Sequence, residues 1–348
     1  MSEVVSQQVS VQRSASGVRT GTGFGLSLIL LSVAVLLAAW VGLYSYSPLP
    51  ISALSSLHAL LGNAPDQVTQ LVIWESRLPR VLIAALVGAA LASAGALMQA
   101  LTRNSLASPG VFGVNAGAAL GVALLSTYLP WFGVMGTGVA AVLGGGVCWL
   151  IVMLLGAPWR PGNNKARLVL AGVAVSALCA ALTRACILLS EDQASAVLSW
   201  LAGSVASASW EKWQSLWIIV LPALGLSALL APRLNILSLG DEQAASLGIR
   251  LHRLRLLISL LVLVLVGIAV MVAGSIAFVG LMVPHMARQI AGVDYRRVLP
   301  VSWLLGMLLV LLADALSRAV AYPTETPAGA LLALIGAPCF IYLVRRRA

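Results

Sequence analysis

Apolar runs of about 20 positions alternate along this chain with short polar stretches, and an apolar run of that length crosses the ~30 Å hydrocarbon layer of a bilayer as an α-helix. The pattern predicts ten such helices, at residues 24–44, 81–101, 110–128, 132–156, 167–190, 214–231, 255–273, 277–291, 298–319 and 327–344. The eighth is short and holds Pro284, His285 and Arg288, so a half-helix stays open there. Residues 1–23 form a polar tail rich in Ser, Gln and Val. The run after it is longer than a signal-peptide core and lacks a clear cleavage site, so it reads as a retained first span. The predicted fold is all-α and polytopic, with about ten transmembrane helices in one domain over residues 24–348.

Small residues recur on single helix faces. Gly113, Gly117 and Gly121 are four apart in the third span, and Gly88, Ala92 and Ala96 in the second. In lipid, where apolar burial does not drive helices together, such stripes allow close backbone approach. They predict a tight bundle and carry no functional reading.

Composition agrees: 60% of the residues are hydrophobic and 9% charged, with a mean hydropathy of +0.99, against roughly 25% charged in soluble domains. The net charge of +10 is spread through short loops without interleaved aromatics, which argues against nucleic-acid binding. It follows topology instead. With the N-terminus in the cytoplasm, sixteen of the 21 Lys and Arg residues fall on the cytoplasmic side. The exceptions are Arg77, Arg80, Arg184, Lys212 and Arg318, at or near the outer ends of spans. An even number of spans returns both termini to the cytoplasm. Trp40, Trp74, Trp131, Trp159, Trp210 and Trp213 lie near predicted boundaries, as an aromatic belt does.

Several chemistries find no support. Cys148, Cys179, Cys186 and Cys339 sit inside apolar runs without metal-ligand spacing and read as small packing residues. His58, His252 and His285 are dispersed, so no metal site is expected. No Gly-rich loop ends in Gly-Lys-Ser or Gly-Lys-Thr, so no ATP site and no bound cofactor are expected on this chain. Asp314 is the one acidic residue inside a confident span, which argues against a secondary, ion-coupled transporter.

Four polar constellations stand out. The first is Leu239–Gly248, LGDEQAASLG, a Gly-bounded helical segment in the basic loop 233–254. Asp241 and Glu242 suit its helix N-terminus, and Ala244, Ala245 and Leu247 form a small apolar face able to seat in a partner's cleft. An ordinary surface helix is the plain alternative. The second is Arg77 and Arg80 at the outer mouth of the second span, with Arg318 at the outer end of the ninth, where Asp314 one turn earlier could hold its guanidinium. Lipid headgroups would also explain these arginines. The third is the loop Arg103-Asn104-Ser105-Leu106-Ala107-Ser108-Pro109-Gly110. The fourth runs from Ala273 to Leu281 and on to Pro284-His285, where His285 could relay protons or simply pack. Arg184, flanked by apolar residues, could snorkel to the outer boundary or face a cavity and attract an anion.

The order and spacing of these motifs resemble the permease subunits of ATP-binding cassette importers for iron-siderophore complexes, haem and cobalamin, over about Leu26 to Arg345. The match is closest at the Leu-Gly…Ala…Leu-Gly loop, at Phe278-Val279-Gly280-Leu281 and at Pro284-His285; it departs at Ser105 and Ser275, where the family carries proline. The resemblance implies a ten-span, non-enzymatic permease in the bacterial inner membrane that carries an iron-siderophore-type chelate. Haem and cobalamin stay open as cargo, with ferric citrate one example of the chelate class. It implies a second permease subunit, identical or homologous, two ATPase subunits that bind the ATP, and a periplasmic substrate-binding protein, all working in membrane lipid. It assigns ATPase coupling to Leu239, Gly240, Ala244, Ala245, Leu247 and Gly248, and docking of the binding protein to Arg77, Arg80 and Arg318. Asn104 and Leu106 become the cytoplasmic gate, and Gly172, Ser176 and Ala180 of the fifth span line the pathway.

The charge pattern yields a direct test of topology. A cysteine at Ser246, in a chain whose native cysteines are replaced, should react with a membrane-impermeant reagent in inside-out vesicles only. Labelling from the periplasmic side would reverse the orientation.

Overall fold

A computed structural model describes residues 21–47, 51–129, 131, 133–156, 165–189 and 191–345. Among these residues there are helices and turns and no strand. The tail up to residue 20, and with it Arg13 and Arg19, lies outside the described residues, as do Trp159, Arg160, Arg346 and Arg347.

All ten predicted spans appear as helices: α1 Gly21–Tyr44, α4 Leu78–Thr102, α5 Val114–Tyr128, α6 Gly133–Gly156, α7 Lys165–Leu189, α9 Trp210–Leu239, α11 Leu251–Ala273, α12 Val279–Ala291, α13 Tyr295–Val320 and α14 Ala328–Arg345. Seven of them are long and apolar enough to cross a membrane; α5, α12 and α14 are shorter. The chain is thus an all-α, multi-pass membrane protein. Helix α5 starts later than the apolar run suggests because Pro109–Phe112 forms a 3-10 turn and Gly113, at φ 69°, breaks the helix before Val114. The short α12 follows a non-helical stretch, 274–278, that ends at Phe278 with φ 67°. Irregular backbone at membrane depth needs cover from protein. Here the Ser204 amide donates to the Ala273 carbonyl at 2.8 Å just before the stretch, and Gly203, held by the Gly329 amide at 2.9 Å, packs so close that a Cβ on it would overlap the Ser275 carbonyl.

Four helical pieces outside the predicted spans cap the loops. α2, Ala53–Leu60, starts from a Ser52–Ser55 capping box. α3, Gln67–Leu71, is capped by Asp66, whose carboxylate accepts from the Thr69 amide, and runs through a π-helical turn, Val72–Arg77, into α4. α8 spans Glu191–Leu201, and α10, Asp241–Ser246, lies in the polar loop after α9. The indoles of Trp74 and Trp210 hold the outer loops together by donating to the carbonyls of Ala59 and Trp74.

The core is built on α4. In its most apolar 18-residue window 89% of residues are buried, against 28% in α6 and in α7. α13, α11, α9 and α12 pack around it. The small-residue stripes explain how. A Cβ on Gly88 would overlap the Gly306 carbonyl of α13, and one on Gly95 would overlap Gly280 of α12. Gly117 and Gly121 likewise meet the backbone of α6 at Gly144 and Ala140.

Gly88→Ala should therefore destabilise the chain by about 1–3 kcal/mol or more, because the obstacle is backbone and cannot swing aside. Gly225→Ala meets open space and should be neutral. Thermal unfolding in detergent separates the two, and equal melting points would refute the close approach.

Candidate functional site

At one end of the bundle, α9 stops at Leu239, and Gly240, at φ 129°, turns the chain into α10. Leu239 and Leu247 are 60% and 63% exposed, and Gln243, Ala245 and Gly248 are exposed as well. Ala244 is fully buried, which corrects its expected place on the docking face. Its carbonyl accepts from the Ile249 amide at 3.0 Å, and its methyl turns toward the chain's own helices, so a bulky residue there would disturb the loop itself. The exposed ledge is Leu239, Ala245 and Leu247.

Asp241 pins this ledge to the bundle. Its Oδ1 accepts from Arg103 Nη2 at 2.8 Å and its Oδ2 from Arg255 Nη2 at 2.7 Å. Arg103, at φ 50°, ends α4 and opens the loop expected to gate the pathway. A Cβ on Gly240 would come within 3.3 Å of Arg103 Nη1, so glycine helps this arginine reach Asp241. In the same loop Asn104 Oδ1 accepts from the Leu106 amide at 2.9 Å, an Asx turn that presents the exposed Leu106 side chain.

The residues expected to line the pathway lie partly in a packing seam. Gly172 is buried and Ser176 and Ala180 are half-buried, on the side of α7 that packs against α5 and α6. Ser176 Oγ lies 3.6 Å from where a Gly113 Cβ would stand. The free face of α7 carries Ala174, Ala177, Ala181 and Arg184 instead. The trio thus lies along the packing seam and its margin, one step round the helix from the fully exposed face.

The opposite end holds the three arginines expected to dock a partner, and all are buried: Arg77 is 5% exposed, Arg80 7% and Arg318 1%. Arg80 donates from Nε and Nη2 to Asp314 Oδ1 at 2.9 and 2.8 Å and meets Glu325 at 2.9 Å. Arg318 reaches Asp314 Oδ2 at 3.2 Å, as its one-turn spacing predicted, and donates to the carbonyls of Gly42 and Ser45, tying α1 to α13. The guanidinia of Arg80 and Arg318 are committed to their own chain, whereas Arg77 is buried with one long donation, 3.5 Å to the Tyr46 carbonyl, and an Nη1 without a partner; none of the three offers an exposed docking group in this chain. Burial raises the pKa of Glu325, but the hydrogen bond and charge of Arg80, with Arg318 and Arg77 beyond, outweigh it and hold the carboxyl below its usual value.

Other polar groups are structural. Gln99 of α4 donates to the Leu281 carbonyl at 3.2 Å and accepts from Arg288, bracing α12. His285 is buried beside Gln289, 3.3 Å away. Cys148 and Cys179 are free and their sulfurs are 3.1 Å apart between α6 and α7. Among the described residues no group of His, Cys, Asp and Glu could hold a metal ion.

The Arg103–Asp241–Arg255 bridge and the Arg80–Glu325 pair escaped the sequence reading. A signal existed. For the Asp241 bridge it is that, outside the N-terminal tail, Asp241, Glu242 and Asp294 are the only carboxylates in the segments expected to be cytoplasmic, so each invites several cations.

The FecCD transport family matches residues 28–346. The chain is 49% identical to the Fe(3+) dicitrate transport system permease protein FecC of Escherichia coli (strain K12), covering 90% of this chain and 95% of that one. It is 39% identical to the hemin transport system permease protein HmuU of Yersinia pestis, covering 92% and 95%. Among solved structures, a metal-chelate type ABC transporter in an inward-facing conformation superposes with a TM-score of 0.81 at 32% identity, over 92% of this chain and 98% of that one.

Asp314→Ala should cost roughly 3–5 kcal/mol, since Arg318 then stays buried without a carboxylate and Arg80 keeps only the partly exposed Glu325. Asp241→Ala breaks two partly exposed pairs, each worth only about 0.2–1 kcal/mol, and should cost less. Calorimetry in detergent reads both, and equal losses would contradict the burial difference. The Glu325 contribution is complete above the ordinary glutamate pKa of about 4.3 and is lost as pH falls through its lower folded value. Glu325→Gln should flatten that acid limb.

Proposed function

This chain belongs to the FecCD transport family and is a membrane-spanning permease subunit of an ATP-driven importer, and we propose that its cargo is an iron(III) chelate of a small hydroxycarboxylate such as citrate. The observation that carries the cargo reading is the 49% identity to the dicitrate permease over nine-tenths of the chain. The free face of α7 is compatible with it: alanines and one exposed arginine, Arg184, make a smooth wall with a single attraction for an anion. No tight polar site is needed where another protein selects the cargo and releases it.

We infer further that both termini and α10 are cytoplasmic, that a second permease subunit faces α7 across the pathway, and that a periplasmic binding protein delivers the chelate. Two ATPase subunits bind the ATP and receive the ledge of Leu239, Ala245 and Leu247. Asp241 then passes their movement on, because it is bonded both to Arg103 at the foot of the Asn104–Leu106 gate and to Arg255 at the base of α11. Docking of the binding protein falls to exposed outer-loop groups rather than to the buried arginines.

Proteoliposomes holding the permease, its ATPase and its binding protein test this reading. Labelled ferric citrate should enter in an ATP-dependent manner, and preferential uptake of haem or cobalamin would overturn the cargo. Leu247→Arg leaves the fold intact because the side chain is exposed. It should cut uptake by about 30-fold, the effect of losing one contact worth ~2 kcal/mol. Normal uptake by that variant would remove α10 from the coupling role.

A further inference from the structure

The end of α9, the turn after α10 and the start of α11 enclose a cavity of about 340 Å³ lined by Arg233, Arg250 and Arg253, with Ile249, Leu254 and Leu257 forming its apolar floor. All three arginines are exposed, and no carboxylate lines the cavity. They differ in this from Arg103 and Arg255, which are engaged by Asp241. Three guanidinia around one small space repel each other unless an anion sits among them, and their planar donor forks match phosphate oxygens.

What lies beside the cavity narrows the choice of anion. Leu229, one turn before Arg233 on α9, is 76% exposed. On α11 the face that starts at Arg253 continues through Leu260 and Val264, 39% and 41% exposed. α9 and α11 pack against each other, so the two apolar strips descend side by side from the basic cavity into the membrane-spanning part of the bundle. The order is charge at the span boundary and hydrocarbon surface below it, which matches a phospholipid set upright in its leaflet.

We propose that Arg233, Arg250 and Arg253 bind the headgroup phosphate of an anionic phospholipid whose acyl chains lie along Leu257, Leu260 and Leu229. With α10 in the cytoplasm, the lipid belongs to the inner leaflet and sits directly beside the coupling ledge. The site does not depend on which chelate is carried.

Purified permease, stripped of lipid in detergent, can be titrated with phosphatidylglycerol and with phosphatidylcholine, and native mass spectrometry reads the bound copies. Phosphatidylglycerol should bind in preference. Arg233→Gln, Arg250→Gln and Arg253→Gln should each weaken it about fivefold, and Arg167→Gln, at a different boundary, should not. Melting temperatures of the variants should match that of the parent. Equal retention of the two lipids, or retention unchanged by the three substitutions, would overturn the proposal. So would full displacement by inorganic phosphate, because the strips would then contribute nothing. Loss of ATPase co-purification in the triple variant with lipid binding intact would assign the cavity to the ATPase interface instead.

Discussion

The backbone of α4 runs so close to α13 and α12 that no side chain fits at Gly88, Gly306, Gly95 or Gly280. That contact fixes the rest. In lipid, apolar surface gains nothing by leaving its solvent, so helices associate through packing and polar contacts. Each missing Cβ brings two backbones together and leaves α4 almost wholly surrounded. A helix walled in on every side is a rigid post, and the polar groups at its two ends, Arg80 and Arg103, inherit their positions from it.

Those ends are built alike but differ in strength. At one, Asp314 is shared by Arg80 and Arg318; at the other, Asp241 is shared by Arg103 and Arg255. Side-chain exposure is 8% and 3% for Arg80–Asp314 but 28% and 32% for Arg103–Asp241. A buried pair cannot open without stranding charge in a poor dielectric, so the first clamp holds α1, α4 and α13 as one body. An exposed pair exchanges its partners for water at little cost. The second clamp can let α10 and the Asn104–Leu106 loop shift while the opposite end stays fixed, as the drive proposed at α10 would require.

Periodicity made the fold legible, because apolar runs and small-residue stripes report helix length and close approach one residue at a time. The ten helices, the shortness of the eighth and the Asp314–Arg318 pair were readable in this way. Side-chain direction was harder. Ala244 and Gly172 have the small size that either a docking face or a packing seam requires, and only the rotation of each helix decides between them. The outer arginines misled for a related reason: a basic residue on the wrong side of the membrane can be explained by an outside partner or by a carboxylate of its own chain. Glu325, 245 residues from Arg80, was that carboxylate, and no local pattern connects them. The added outer helices did leave local marks in the caps at Ser52 and Asp66, but those segments lack the apolar length that guided the reading.

One surface makes sense only with a companion. α6 and α7 leave most of their apolar windows uncovered, and lipid alone could account for Leu170 and Leu178, 70% and 60% exposed. It accounts less well for Arg184, exposed on the same helix. A guanidinium against hydrocarbon costs about 2.5–3.5 kcal/mol at mid-span and less toward an end, and it is tolerated where water or protein faces it. The second permease proposed opposite α7 would resolve this: the leucines would pack against lipid or the neighbour, the alanines would leave room for a bulky solute, and Arg184 would stand in an aqueous opening. An arginine at that mouth draws in an anionic complex without gripping it, because one exposed charge in water binds weakly. Weak attraction would suit the proposed conduit, whose cargo must also leave, with selection by a separate binding protein and release driven through the α10 ledge.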